Sequence, residues 1–136
     1  MQYVIKAEPP DPRARRLVFP AQKTMYRGKT IAPGDTIFIF ASETQGGRGL
    51  FARGVVLSVR SGPARRGLVR QTPRVSIVVR RTALARRTLG RAELKRFSAW
   101  EDGRPETELN FKFYRQATNK IAQVTHAAAA ILEQYF

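Results

Sequence analysis

Residues 32–43 read APGDTIFIFASE. Pro33, Gly34 and Asp35 make a turn, because proline presets φ and glycine accepts backbone conformations that other residues avoid. Thr36 to Ala41 then concentrates β-branched and aromatic side chains, the composition of a strand. Phe38 and Phe40 alternate with Ile37 and Ile39, so both faces are apolar and both must be covered. Phe38 and Phe40 are therefore read as core rather than as pocket walls.

Upstream, Gln2 to Lys6 reads as a strand stopped by Pro9, Pro10 and Pro12. Arg13 to Thr30 stays open: DPRARRL can start a short helix, and Pro20 would interrupt it. Downstream, TQGGRG (44–49) is a hairpin loop, and Leu50 to Val59 returns as a strand whose Arg53-Gly54 step marks a bulge or a close backbone approach. Gly62 to Thr72 is a basic loop, and Arg74 to Arg81 is a strand. Gly90 to Trp100 is expected to carry a short amphipathic helix with Leu89, Leu94 and Phe97 near one face. EDGRPETE (101–108) reads as a polar loop. In NFKFYRQATNK (110–120), Phe111 and Phe113 alternate with Lys112 and Tyr114 as in a strand with one buried face. Thr125 caps a last helix that turns Ala128, Ile131, Leu132 and Tyr135 to the core. The sum is one domain over 1–136 of α+β class: a mostly antiparallel β pseudobarrel surrounded by short helices, with a helix at the C-terminal end.

The chain has 25 Lys and Arg against 10 Asp and Glu, and no cysteine. Fourteen of the basic residues fall between Thr44 and Phe97, where Glu93 is the only acid. Such a stretch sets up a positive potential suited to phosphates. No apolar run approaches the roughly eighteen residues of a membrane span, and the opening QYVIKAE is unlike a signal peptide. A cytoplasmic protein with no membrane contact is expected. Without cysteine and with one histidine, His126, neither a thiol–histidine pair nor an ordinary zinc site can be built. Gly28-Lys29-Thr30 ends like a phosphate-binding loop, but Lys23 stands where that motif needs its first glycine. Glu101, Asp102, Glu106 and Glu108 form an acidic loop, better read as solvated than as a metal site. No metal and no cofactor are expected.

Three stretches together resemble the EVE domain of the PUA-like superfamily, a relative of YTH and ASCH domains. YVIKAEP matches its first strand, which ends in a Lys-Ser/Ala-Glu-Pro pattern, here Lys6, Ala7, Glu8 and Pro9. PGDTIFIFAS matches a Gly-Asp turn followed by a strand ending near a serine, here Gly34, Asp35 and Ser42. GLFARGVVLSV matches the small-residue-rich strand that comes next. Where the family carries a tryptophan-containing segment before the Gly-Asp turn, this chain has Tyr26. The resemblance implies a pseudobarrel with one concave pocket that accepts a base, including a modified one, as YTH domains do with an aromatic cage.

A base swung out of its stack needs flat aromatic faces, polar groups for its edge and cations for its phosphates. Lys6, Ala7, Glu8, Tyr26, Ser42, Trp100, Tyr114 and Asn119 are the candidates for the base pocket. Arg65, Arg66, Arg70, Arg86, Arg87, Lys112 and Arg115 are the candidates for the phosphates. The expected partner is nucleic acid, DNA or RNA, and the expected role is binding rather than catalysis. Two rivals stand beside it: an ASCH-type nuclease or base-processing enzyme using Glu8 or the acids near Glu101 as a base, and an accessory protein that grips structured RNA by shape.

Overall fold

A computed structural model describes residues 1–62 and 73–136. Seven strands form one sheet: β1 (Gln2–Ala7), β2 (Arg16–Gln22), β3 (Thr24–Met25), β4 (Thr36–Ala41), β5 (Gly49–Ser61), β6 (Val75–Leu84) and β7 (Lys120–Val124). Their order is β2-β6-β5-β4-β1-β7-β3, curled into a nearly closed, mostly antiparallel barrel. β1 pairs in parallel with β4 on one side and antiparallel with β7 on the other. The strand 36–41 lies in the middle of the sheet, between β5 and β1, and Phe38 and Phe40 are core as expected, each 0% exposed like Ile39.

The two faces of that strand enter two different cores. Ile37 and Ile39 join Tyr3, Ile5, Leu17, Phe19, Ile77 and Val79 inside the barrel. Phe38 and Phe40 point outward with Val4, Ala122 and Val124, where Leu94, Leu109, Phe113, Ala128 and Leu132 cover them. The covering elements are α1 (Arg91–Leu94), α2 (Pro105–Asn110) and α3 (His126–Glu133). Thr125 caps α3 as expected, its hydroxyl accepting from the Ala128 N–H at 3.2 Å. The β5–β6 ladder shifts register twice, between Val56 and Ser58 and, as expected, between Arg53 and Gly54, where a Cβ on Gly54 would stand 2.7 Å from the Arg80 carbonyl oxygen.

Three expectations need correction. The open stretch 13–30 contains no α-helix: it forms β2, β3 and a 3-10 turn at Gly28–Thr30. Here Leu17 and Phe19 go inward while Arg16, Val18 and Pro20 face out, an alternation that suits an edge strand. The helix expected over 90–100 is a single turn, Arg91–Leu94, although Leu89 and Leu94 are buried and Phe97 half-buried on the side foreseen.

The largest difference lies at 101–120. Pro105 opens α2 in the first-turn position where its missing N–H costs nothing, and Glu106 and Glu108 suit the positive end of a helix. The helix continues through a π-helical turn, Phe111–Arg115, before β7 begins at Lys120. The alternation of Phe111 to Tyr114 was too short to separate a strand from a helix. Leu109 and Phe113, four residues apart, are the fully buried pair, as helical spacing dictates. The acids of 101–108 have structural work. Asp102 accepts from the Arg104 N–H at 2.9 Å and the Thr107 hydroxyl at 3.0 Å. Glu108 accepts from Lys112 Nζ and the Thr125 N–H, both at 3.0 Å.

Candidate functional site

The sequence candidates fall into three groups. Lys6 and Ala7 end β1, and Ser42 follows β4, so all three lie at the carboxyl ends of two parallel strands. The Ser42 N–H donates to the Ala7 carbonyl at 2.8 Å. Ser42 is buried, its hydroxyl 3.0 Å from that of Thr44, whereas Glu8 is exposed. Tyr114 and Asn119 join this end. The Tyr114 hydroxyl donates to Glu43 Oε1 at 2.6 Å, and Asn119 Nδ2 donates to Gln45 Oε1 at 2.8 Å. Glu43 Oε1 also accepts from the Arg91 N–H at 3.1 Å.

Beneath these groups lie two buried amines. Lys6 Nζ donates to the Phe113 and Ala117 carbonyls at 2.9 and 2.8 Å. It stands 5.4 Å from the centre of the Tyr114 ring, while the Arg91 guanidinium lies 5.6 Å from it. Lys120, fully buried, donates to the Gln116 and Thr118 carbonyls at 2.5 and 3.1 Å. Four carbonyls of one short segment are thus held by two ammonium groups, which fixes the loop carrying Asn119. Burial pushes the Lys6 amine below its ordinary range, Arg91 adds to this, and Glu43 opposes it. Burial pushes Lys120 down to about 8, helped by the charges of Lys6 and Lys23. Tyr114 is driven upward by burial and by its hydrogen bond to Glu43.

The Lys120 shift has a measurable sign. In the unfolded chain the amine titrates at its ordinary 10.5, and in the fold at about 8. Below the lower value both states hold the proton and the burial penalty applies in full. Between the two values the fold has released a proton that the unfolded chain still binds, so stability rises with pH. Wild-type protein should therefore unfold at higher urea at about pH 9.5 than at about pH 7.5, and Lys120→Met should flatten that rise. A rise of equal size in the variant would assign it to other groups.

Tyr26 and Trp100 stand elsewhere, in a ring cluster around Phe111. The Tyr26–Phe111 and Trp100–Phe111 ring centres are 6.2 and 5.6 Å apart, both edge-on. Arg115 lies 5.0 Å from the Trp100 ring centre and 5.1 Å from that of Phe111, and Lys112 lies 5.3 Å from that of Tyr26. Lys112 is also tied to Glu108 and to the Gln123 carbonyl, which it reaches at 2.7 Å. A hollow of about 390 Å³ opens here, lined by Trp100, Arg104, Glu108, Phe111 and Lys112 among others.

Arg86 and Arg87 belong to a third place. With Arg48, Pro12 and Phe51 they line a hollow of about 340 Å³ at the start of β5. That strand begins at Gly49, the register partner of Ala41, so this hollow adjoins the Ser42 end of β4. Arg87 Nη2 donates to the Gln134 carbonyl at 2.6 Å and packs 4.5 Å from the Tyr135 ring centre. Arg65, Arg66 and Arg70 lie outside the described residues. Sequence reasoning missed Glu43, Gln45, Arg91 and Lys120. Glu43 and Gln45 follow directly on the serine that ends β4, so continuing past Ser42 would have found them. Lys120 sat inside the stretch 110–120 but was hidden by the strand assignment.

No known protein family matches the chain by sequence, and no curated protein does either. Solved structures do match over nearly the whole length. The DUF55 domain of human thymocyte nuclear protein 1 has a TM-score of 0.67 at 13% identity, covering 99% of this chain and 98% of that one. Human THYN1 protein in complex with 5-methylcytosine-containing DNA has a TM-score of 0.65 at 13% identity, covering 98% and 96%. A protein from Pseudomonas syringae has a TM-score of 0.63 at 17% identity, covering all of both chains. At such identities the likeness is one of fold: from β1 to α3 this chain has the architecture of the DUF55 domain, the barrel that its sequence resemblance to EVE domains led one to expect.

Proposed function

We propose that this protein is a nucleic-acid-binding module that receives a modified base at the carboxyl ends of β1 and β4. One observation carries the reading: Ser42, Glu43, Tyr114 and Asn119 are drawn together at that end by hydrogen bonds, above the buried amines of Lys6 and Lys120. Displaced titration and convergent polar side chains gather at functional sites more often than elsewhere. The adjoining hollow, with the half-buried Phe51 ring and three arginines, offers an aromatic wall and cations for flanking phosphates. That a protein of the same fold has been solved with 5-methylcytosine-containing DNA supports the choice of partner. Glu43, the carboxylate held by Tyr114 and Arg91, occupies a place that suits a phosphate.

The test is binding to matched oligonucleotides with and without modified cytosine or adenine, single- and double-stranded, across a salt series. The electrostatic part should weaken for every sequence as salt rises. A base site leaves a modification-dependent difference that persists at high salt. That difference should vanish in Ser42→Val and remain in Trp100→Ala, while Glu43→Gln, which removes a negative charge beside the arginines, should tighten all binding several-fold. A wild type blind to modification at every salt concentration would end the reading.

The ring cluster supports a second reading, because Trp100 is 38% exposed beside a hollow of about 390 Å³. Loss of the difference in Trp100→Ala with retention in Ser42→Val would move the base site there.

A further inference from the structure

The barrel's outer surface is covered unevenly. α1, α2 and α3 pack over β4, β1, β7 and the first residues of β5, where Leu50 is covered and Arg53 pairs with Glu133, and the outer face of β2, β6 and the rest of β5 carries no helix among the described residues. On that face Val18, 62% exposed, pairs across the ladder with Val78, and Leu57 is 43% exposed. Beside the valines, Arg16 lies directly opposite Arg80. Arg60 continues the face as the partner of Ser76. Like charges set directly opposite each other on neighbouring strands oppose folding.

The acids nearest this face are already engaged: Asp35, beside Thr36, accepts from the Ala32 N–H at 2.9 Å, and Glu133 pairs with Arg53. No Asp or Glu occurs between Asp11 and Asp35, or between Glu43 and Glu93, so β2, β5, β6 and the connection between β5 and β6 are free of acids. Asp11 itself pairs with Arg13. Among the described residues the face has no aromatic ring on which a base could stack, and the exposed Val18 is flanked by the Arg16–Arg80 pair.

We propose that this uncovered face is a second nucleic-acid contact, in which Arg16, Arg80 and Arg60 grip the phosphodiester backbone without reading bases. The proposal rests on the nucleic-acid reading above and extends it to a different surface. Arg16, Arg80, Val55 and Thr36 form one lateral row through successive strand pairings, and Thr36 begins β4 whereas Ser42 follows its end. At about 3.3 Å per residue the two ends of β4 are separated by about 17 Å, several phosphates along a strand. A nucleic acid held at both places is gripped along the barrel and not only at its rim.

The experiment compares wild type with the Arg16→Gln/Arg60→Gln/Arg80→Gln variant on an unmodified duplex across a salt series. Each phosphate contact contributes about 0.9 to the slope of log affinity against log salt, so the triple variant should lose about 2 to 3 from it. Its thermal stability should be unchanged or higher, because the opposed guanidiniums are gone. Any modification-dependent difference should persist, which separates this contact from the base site. Lys95→Gln/Arg96→Gln, which removes exposed charge on the helical side, should leave the slope close to wild type. An unchanged slope in the triple variant, or an equal loss per charge in the helical-side control, overturns the proposal. So does loss of polyglutamate binding with the duplex slope intact, which would give the face to an acidic protein.

Discussion

Phe40→Ala is expected to lower folding stability by about 4 kcal/mol, within the range for truncating a fully buried aromatic. Phe40 is 0% exposed, and its ring stacks on Phe113 with centres 4.9 Å apart and planes 28° from parallel. It stands on the central strand, where collapse of neighbours into the vacated space would require β1 or β5 to move. Phe113 belongs to the π-helical turn that presents Tyr114, and its carbonyl holds Lys6. The variant should therefore lose base discrimination beyond what its unfolded fraction explains. Urea unfolding followed by binding at low temperature separates the two effects. A loss below about 1 kcal/mol would mean the site collapses easily, and the account of the outer core would be wrong.

Gly28→Ala comes next, with an expected loss of about 3 kcal/mol from overpacking against rigid backbone. A Cβ there would fall onto the Ile121 carbonyl, 2.7 Å from its carbon and 3.3 Å from the Ala122 nitrogen. β7 cannot withdraw, because β1 and β3 bind it on both sides. Nor can the segment before Gly28 adjust freely: Tyr26 and Arg27 already sit at φ of 50° and 65°. That geometry supplies a control of opposite sign. Arg27→Gly relieves a left-handed residue and should be neutral or stabilising. Thermal unfolding of the two variants in parallel decides the matter, and a silent Gly28→Ala would refute the close approach of the 3-10 turn to β7.

Much of this architecture was legible in the residues. The strand 36–41 announced itself through two apolar faces, and the cap at Thr125 through the helical spacing that follows it. The bulge at Arg53-Gly54 followed from a glycine inside a strand pattern. Stretches where two periods fit equally well resisted reading. FKFY is too short to tell a strand from a helix, and the decisive signal, Pro105 with two acids just after it, lay in what looked like a loop. The site was half legible. Lys6, Ala7 and Ser42 are pointed to by the resemblance, and they meet because β1 and β4 pair in parallel and end together, a pairing that the sequence does not announce. Tyr26 and Trp100 were chosen as aromatics near the expected pocket, yet they pack on Phe111, and only the helical path of 105–115 carries that ring to them. The burial of Lys120 could not be foreseen, because its carbonyl partners come from a turn with no sequence signature.

The position of β1 between β4 and β7 bears on how the chain reaches this state. Gln2 pairs with Val124, so the first strand completes its hydrogen bonding only with the last. Until residues 120–124 arrive, β1 offers an open edge and the barrel interior stays uncovered on that side. Pairings of such long sequence separation are closed late and slowly, which puts folding in the range of milliseconds to seconds. During synthesis β1 must therefore wait, its edge unpaired, until residues 120–124 have emerged from the ribosome.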